Sequence, residues 1–332
     1  MMIYGNISKL KNRILQLEII RSRPQCLSVF TTNRCNFSCY YCSRNISDDK
    51  AGVMHRYDNK SDFCLSDLKI LLDKYPSIKI VSFVGVGEPF LNSELILMAR
   101  YAKQNKKQVL TISNGSLLHN HWGDIASLFD EISISLHGLN AEELNRIAKA
   151  SEKVYTQFLE NVKYLTTEEK KINSSLNIRA SVVGLKSDLN RIIRAADFCR
   201  ENHIQTLDIH NYLPVNMVDS KDCFFDDDLA HIEFFKKLKS DFAQHLIINA
   251  PVLIHKNKNK ISYSCPEFFN TLRVDGVGQV AGCTKIMIPK KDNGNWRSDE
   301  DVWNNAYFLD MRRRFREKNG IPECCQYCPR AQ

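Results

Sequence analysis

The 332-residue chain lacks the segments that would place it in or across a membrane. No apolar run reaches the roughly eighteen residues that a transmembrane helix needs, so no membrane partner is expected. The amino terminus is polar and basic and has no apolar stretch with a small-residue cleavage site, which argues against export. Without a secretion signal, twelve cysteines indicate metal ligation or redox chemistry in a reducing compartment. A cytoplasmic protein is therefore expected.

Low-complexity segments are absent, and so is any internal repeat larger than a β-α unit. Hydrophobic residues make up 43% and charged residues 25%, which is typical of a globular protein with a sizeable core. The formal net charge is +8, but no nucleic-acid-binding motif accompanies this charge. Solvated surface charge is the preferred interpretation, and nucleic acid is not an expected partner.

Three cysteines stand close together near the start of the chain, at Cys35, Cys39 and Cys42. Their spacing suits three thiolates on one iron-sulfur cube, which would leave one of its four irons without a protein ligand. A metal site with an incomplete set of protein ligands can bind and activate a substrate. A structural zinc site or a purely supporting cluster is the alternative.

A second pattern follows the cysteines. The run 78–84 is rich in β-branched residues and predicts a buried strand, which leads directly into Gly85-Val86-Gly87-Glu88-Pro89. Glycines let a backbone approach a ligand closely, and a carboxylate can accept hydrogen bonds from an ammonium group. An ordinary strand-to-helix connection is the alternative for this turn.

In these two motifs the sequence resembles the radical S-adenosylmethionine (radical SAM) superfamily, whose cysteine motif has an aromatic residue, here Tyr41, before its last cysteine. Val86 replaces the first glycine of the family's Gly-Gly-Glu-Pro element. The resemblance implies a [4Fe-4S] cluster whose open iron chelates S-adenosylmethionine. It also implies that Glu88 and the backbone around Gly85 and Gly87 hold the methionyl ammonium. An external one-electron reductant such as flavodoxin or ferredoxin is an implied partner.

Predicted strands and helices alternate from a first strand at 26–31 to a sixth at 206–210. Helical periodicity predicts helices over 65–74, 94–106, 121–129, 153–170, 189–202 and 229–240. This β-α order favours an α/β fold with a parallel sheet. The resemblance implies a partial (β/α)6 TIM-like barrel with its cofactors at the carboxyl ends of the strands. We expect an amino-terminal extension over 1–24, the barrel over 25–250 and a small iron-sulfur domain over 251–332.

Five polar residues lie at or near the ends of predicted strands, although one lies earlier in its strand: Asn114, Ser135, His137, Arg179 and His210. The resemblance implies that Ser135 contacts the ribose of the cofactor, and Asn114 and Arg179 are further candidates for cofactor binding. His137 and His210 are candidates for orienting substrate or moving a proton, because histidine titrates near neutral pH. A structural role is as plausible for each histidine.

The carboxy-terminal part contains a second group of cysteines: Cys265, Cys283, Cys325 and Cys328. Four thiolates are enough to ligate one [4Fe-4S] cluster fully, and a zinc knuckle or ligation by Cys324 in place of Cys325 stays open. With a hairpin signal at 271–276 and a terminal Cys-x-x-Cys-Pro, this part resembles the auxiliary-cluster domain called SPASM or, when shortened, twitch. The chain stops four residues after Cys328, so we expect one auxiliary cluster and two [4Fe-4S] clusters in all.

The resemblance implies an oxidoreductase in which a 5′-deoxyadenosyl radical abstracts hydrogen from an organic substrate and the auxiliary cluster accepts an electron. Only about 25 residues precede the first strand, which favours a small molecule such as a sugar, aminocyclitol or nucleotide derivative. A ribosomal-peptide maturase or epimerase is the alternative within the family. Cys223 lies in the loop after the sixth strand. In an epimerase it could donate a hydrogen atom to the substrate radical, and the alternative is an inert thiol. A non-catalytic iron-sulfur or zinc protein that binds nucleic acid is the alternative of another class.

Overall fold

The computed structural model describes residues 23–42, 62–212, 220–256, 265–283 and 293–320, together with Pro322, Cys325 and Cys328. The strands are β1 (Cys26–Phe30), β2 (Ile80–Val84), β3 (Gln108–Ser113), β4 (Glu131–Ser135), β5 (Asn177–Gly184), β6 (Thr206–Asn211), β7 (Ile247–Asn249), β8 (Thr271–Asp275) and β9 (Val280–Ala281). The helices are α1 (Leu65–Lys74), α2 (Leu95–Gln104), α3 (Ile125–Leu128), α4 (Ala141–Ala148), α5 (Glu152–Tyr164), α6 (Lys170–Ile172), α7 (Leu189–Glu201), α8 (Leu229–Phe242), α9 (Glu267–Asn270) and α10 (Ala306–Glu317). A π-helical segment, Leu165–Glu169, joins α5 to α6. None of the helices in the described ranges is long and apolar enough to cross a membrane.

The described strands form one sheet in the order β7-β6-β5-β4-β3-β2-β1-β8-β9. Every neighbouring pair is parallel except β8 and β9, which are antiparallel. The predicted α/β fold with a parallel sheet is confirmed, and all six predicted strands are present. Helix α4 and strand β7 were not predicted.

Strand β8 lies beside β1, at the opposite edge of the sheet from β7. Its five residues pair in parallel with β1, from Cys26 opposite Thr271 to Phe30 opposite Asp275. This strand falls within the expected carboxy-terminal domain over 251–332, yet it extends the parallel sheet beyond β1. The division into domains stays a prediction.

The two faces of the sheet differ because side chains alternate along each strand. On one face, apolar residues such as Val81 and Phe83 pack with Leu68 and Leu71 of α1 in a common core. The other face, here called the inner face, carries polar side chains. One row crosses four neighbouring strands in register: Ser135, Ser181, Asp208 and Asn249.

The carboxy-terminal part is also joined to α1 by polar contacts. Lys74 Nζ donates to the Asp299 carbonyl over 2.5 Å, and the Tyr75 hydroxyl donates to Asp301 over 3.2 Å. Arg297 forms an ion pair of 2.7 Å with the buried carboxylate of Asp67. These contacts, together with the pairing of β8 and β1, hold residues 293–320 against the barrel.

Candidate active site

The cysteine loop, residues 31–42, follows β1 and has no helix or strand of its own. Its entry pairs with the turn after β2, because Gly87 N donates to the Thr32 carbonyl over 3.2 Å and Glu88 N to the Arg34 carbonyl over 2.8 Å. A Cβ on Gly87 would lie 2.1 Å from the Arg34 carbonyl oxygen. Gly87 therefore permits a close approach to the cysteine loop itself, a contact that the sequence did not reveal.

Helix α4 holds the middle of the cysteine loop. Ser38 N donates to the Ala148 carbonyl over 2.8 Å, and Tyr40 N donates to the Ile147 carbonyl over 3.0 Å. The last carbonyls of a helix have no partners within that helix. Here the loop amides are those partners, so the position of α4 sets the position of the residues between the cysteines.

A third set of contacts comes from the end of β3. Asn114 Nδ2 donates to Asn36 Oδ1 over 2.8 Å, and Asn36 Nδ2 donates to Ser116 Oγ over the same distance. Ser116 Oγ in turn donates to Asn114 Oδ1 over 2.6 Å. Asn114 thus contacts the cysteine loop, while its predicted role in cofactor binding stays a prediction. Asn36 and Ser116 were missed, because nothing in a single sequence marks them as partners.

The thiols of Cys35, Cys39 and Cys42 lie near one another. Burial, together with the neighbouring thiols of Cys42 and Cys35, raises the pKa of the Cys39 thiol to about 12. Within the described ranges, no three His, Cys, Asp or Glu side chains are close enough to share a single metal ion. A cubane binds its cysteines at different irons, so neighbouring thiols that do not converge on one metal ion remain compatible with a cluster.

Tyr41 and His137 form a pair beside Cys39. The Tyr41 hydroxyl lies 2.9 Å from His137 Nδ1, and this nitrogen lies 3.7 Å from Cys39 Sγ. Burial lowers the pKa of His137 to about 4, and the positive charge of Arg191 acts in the same direction. His137 therefore lies at the site in its neutral form, where it orients the Tyr41 side chain. Its predicted role towards a substrate stays a prediction.

The Glu88 carboxylate points into the protein and is only 2% exposed. It accepts hydrogen bonds from Ser113 Oγ and Asn114 N, each over 2.7 Å, and from Phe90 N over 3.2 Å. Burial raises its pKa to about 7, while these three hydrogen bonds act in the opposite direction. The carboxylate thus joins the ends of β2 and β3. Its predicted contact with a methionyl ammonium stays a prediction.

The remaining predicted residues lie at different depths along the sheet. Ser135 ends β4 opposite Ser181 of β5. Arg179 lies two positions before Ser181 and donates to both oxygens of Asp208, over 2.8 and 2.6 Å. The structure therefore places Arg179 deeper on the inner face than Ser135. His210 is exposed near the end of β6.

Cys223 is fully buried in the loop after β6. Its thiol donates to the Tyr212 carbonyl, with 3.1 Å between sulfur and oxygen. This contact gives the thiol a structural partner inside the protein. The proposed transfer of a hydrogen atom from Cys223 to a substrate stays a prediction.

The four predicted carboxy-terminal ligands, Cys265, Cys283, Cys325 and Cys328, lie within the described residues. Cys265 and Cys325 are buried, and Cys328 N donates to the Cys325 carbonyl over 3.2 Å, as Cys42 N does to the Cys39 carbonyl over 3.0 Å. Cys283 and Cys265 both act electrostatically on the buried guanidinium of Arg273. Cys324 lies outside the described residues. Convergence of the four thiols on one cluster stays a prediction.

Residues 29–178 match the family model of the radical SAM superfamily. This part, a little under half of the chain, is therefore similar to radical SAM domains. The match runs from β1 into β5 and includes the cysteine loop and the Gly85–Pro89 turn. This family implies S-adenosylmethionine and a [4Fe-4S] cluster as cofactors.

Two curated relatives are similar to the chain at low identity. An S-adenosylmethionine-dependent nucleotide dehydratase of Selenomonas ruminantium is 22% identical over 163 residues, which cover 47% of this chain and 55% of that protein. The chain thus spans about half the length of this relative. A tungsten-containing aldehyde ferredoxin oxidoreductase cofactor-modifying protein of Pyrococcus furiosus is 23% identical, over 90% of this chain and 85% of its own length.

Among solved structures, the chain resembles SuiB of Streptococcus suis bound to precursor peptide SuiA, with a TM-score of 0.67. The superposition covers 93% of this chain and 72% of SuiB, at 15% sequence identity. Such identity shows a shared fold and nothing about the substrate. The likeness agrees with the α/β fold and its parallel sheet.

Replacing Gly87 with alanine should destabilise the protein, because the new methyl group would collide with the Arg34 carbonyl. We expect a loss of about 1–3 kcal/mol in the free energy of unfolding, the usual cost of overpacking. Denaturant unfolding of the metal-free protein measures this loss. Gly85→Ala is the matched control, since its nearest contacts are 3.3 Å away. Equal stabilities of the two variants would contradict the proposed close contact.

Replacing Glu88 with alanine should lower the free energy of unfolding by about 1–3 kcal/mol, because buried donors lose their acceptor. The reconstituted variant should keep its iron but bind S-adenosylmethionine more weakly. Thermal unfolding, iron analysis and equilibrium dialysis measure these effects. Glu94→Ala, which removes one hydrogen bond to Leu65 N, is the control and should leave cofactor binding unchanged. Normal cofactor affinity in folded Glu88→Ala would exclude a binding role for this residue.

Proposed function

We propose that the chain is a radical SAM oxidoreductase that abstracts a hydrogen atom from an organic substrate. The observation that carries this proposal is the gathering of three thiols in a loop that the turn after β2, the end of β3 and the end of α4 hold from three sides. Such a loop presents three thiolates at the carboxyl ends of parallel strands, where barrel enzymes place their chemistry.

The residues of this loop fit an iron-sulfur cluster with an open iron. Cys35, Cys39 and Cys42 would hold it, and the Tyr41–His137 pair would shield one side from water. When bound, the cluster and S-adenosylmethionine supply a 5′-deoxyadenosyl radical, with flavodoxin or ferredoxin as the electron source. The chain itself positions the cofactor and excludes solvent.

The inner face supports a polar substrate. Ser135 and Ser181 present hydroxyl groups side by side on this face, and next to them Asp208 accepts hydrogen bonds from Arg179 and Asn249. Such groups bind hydroxyl-bearing molecules through hydrogen bonds, so we favour a sugar, aminocyclitol or nucleotide derivative. The similarity to a nucleotide dehydratase agrees with a nucleotide.

A peptide substrate is the second candidate. The fold shared with SuiB, which was solved with a bound precursor peptide, favours it. Incubation of the reconstituted protein with nucleotides, sugars and candidate peptides distinguishes the two candidates, because only the true substrate increases formation of 5′-deoxyadenosine.

We extend the proposal to an auxiliary [4Fe-4S] cluster on Cys265, Cys283, Cys325 and Cys328 that accepts the electron of the substrate radical. The buried guanidinium of Arg273, which is ion-paired with Glu267, lies near this group of thiols, since Cys283 and Cys265 act on it electrostatically. With four thiolate ligands, this cluster would have no open iron for a substrate.

The protein reconstituted without oxygen should hold about eight irons in two clusters. Replacing Cys35, Cys39 and Cys42 together with alanine should leave about half of the iron and abolish formation of 5′-deoxyadenosine. Replacing Cys265 and Cys283 should also halve the iron but allow some cleavage of S-adenosylmethionine. Iron and sulfide analysis and product chromatography measure these outcomes. Stoichiometric zinc with little sulfide would contradict the proposal.

A further inference from the structure

Arg191, on α7, is a buried cation behind the candidate active site. Its side chain is 3% exposed. One terminal nitrogen, Nη2, donates to the carbonyls of Leu136 over 2.8 Å and of His137 over 3.1 Å, and Nη1 donates to the carbonyl of Val183 over 3.2 Å. Arg191 therefore ties the chain leaving β4 to the end of β5.

Glu143, on α4, is the acidic partner of Arg191. Glu143 Oε1 lies 3.0 Å from Arg191 Nε, and its side chain is also buried. Glu143 Oε2 accepts a hydrogen bond from Leu139 N over 2.9 Å. A buried charge that loses its partner costs several kcal/mol, so this pair strongly favours one position of α4 relative to α7.

Two connections lead from this ion pair to the cysteine loop. The first runs along α4, whose last two carbonyls accept hydrogen bonds from Ser38 and Tyr40 of the loop. The second runs through His137, whose carbonyl binds Arg191 and whose ring lies beside the Tyr41 hydroxyl and Cys39 Sγ. The ion pair thus contacts α4, which supports the loop, and His137, whose ring lies beside Cys39.

The charge of Arg191 lies close to the middle thiol of the loop. Its Nη2 binds the His137 carbonyl over 3.1 Å, and the ring nitrogen Nδ1 of His137 lies 3.7 Å from Cys39 Sγ. Arg194, one turn further along α7, contacts the same Glu143 carboxylate at 3.3 Å, but its side chain is about half exposed and therefore screened by water. Arg191 is the buried member of this arginine pair.

We infer that Arg191 is a positioning residue of the iron-sulfur site: with Glu143 it fixes the cysteine loop, and its charge raises the reduction potential of the cluster. A cation close to a cluster stabilises the electron that the cluster gains on reduction, and residues around the ligands of a metal site in general tune its reduction potential. This inference rests on the proposed function, because it concerns the cluster that the three cysteines would hold.

The charge effect is tested by the midpoint potential of the reconstituted cluster, followed by electron paramagnetic resonance. Arg191→Met should lower the potential, Glu143→Gln should raise it, and Arg191→Lys should stay between Arg191→Met and the wild type. Arg194→Met is the control and should shift the potential least. If Arg191→Met and Glu143→Gln shifted it in the same direction, or neither shifted it, the charge effect would be wrong.

Positioning is tested separately in metal-free protein by hydrogen exchange of a peptide covering residues 35–42. Arg191→Met should speed exchange of the Ser38 and Tyr40 amides by about tenfold or more, while Arg194→Met should not. Unchanged exchange in a folded variant overturns the positioning role, and Glu143→Gln provides the same test if Arg191→Met does not fold. A wild-type protein that takes up no cluster would refute the proposed function, whereas the exchange result would still decide positioning.

Discussion

The backbone pairing between the Gly85–Glu88 turn and residues 32–34 is the constraint on which the candidate active site depends. The cysteine loop has no secondary structure of its own, so its thiols can be placed only by the elements around it. The pairing fixes the start of the loop to the end of β2. The buried carboxylate of Glu88 then joins this turn to Ser113 and Asn114 at the end of β3. The sheet thereby determines where the first cysteine lies.

Contacts from α4 and β3 complete this support. Because Ser38, Tyr40 and Asn36 all have partners outside the loop, the three cysteines between and beside them are held in the absence of metal. Preorganised ligands lose less conformational entropy when they bind a metal centre. The same contacts make the site sensitive to changes in α4 and α7, which themselves carry no predicted ligand.

Local sequence patterns predicted much of the fold and part of the site. The predicted helix over 65–74 coincides with α1, because periodicity is a local property. The motifs around Cys35 and Gly85 are also local patterns, but the contact between them was not predicted. Pairing between distant residues was not predictable: β8 joins β1, and Arg179 pairs with Asp208. The Glu143–Arg191 pair was also missed, since neither residue is part of a motif. For Gly87, the prediction was a close approach of its backbone to the cofactor. The structure shows a close approach to the cysteine loop.

The central claim is that Cys35, Cys39 and Cys42 hold a cluster whose open iron binds S-adenosylmethionine. The most direct measurement is electron-nuclear double resonance of the reduced protein with S-adenosylmethionine labelled with ¹⁵N at its amino group and ¹⁷O at its carboxylate. The account predicts hyperfine coupling of both labels to the cluster in wild-type protein and in the Cys265→Ala, Cys283→Ala variant. Absence of coupling from a fully reconstituted and reduced cluster would contradict it.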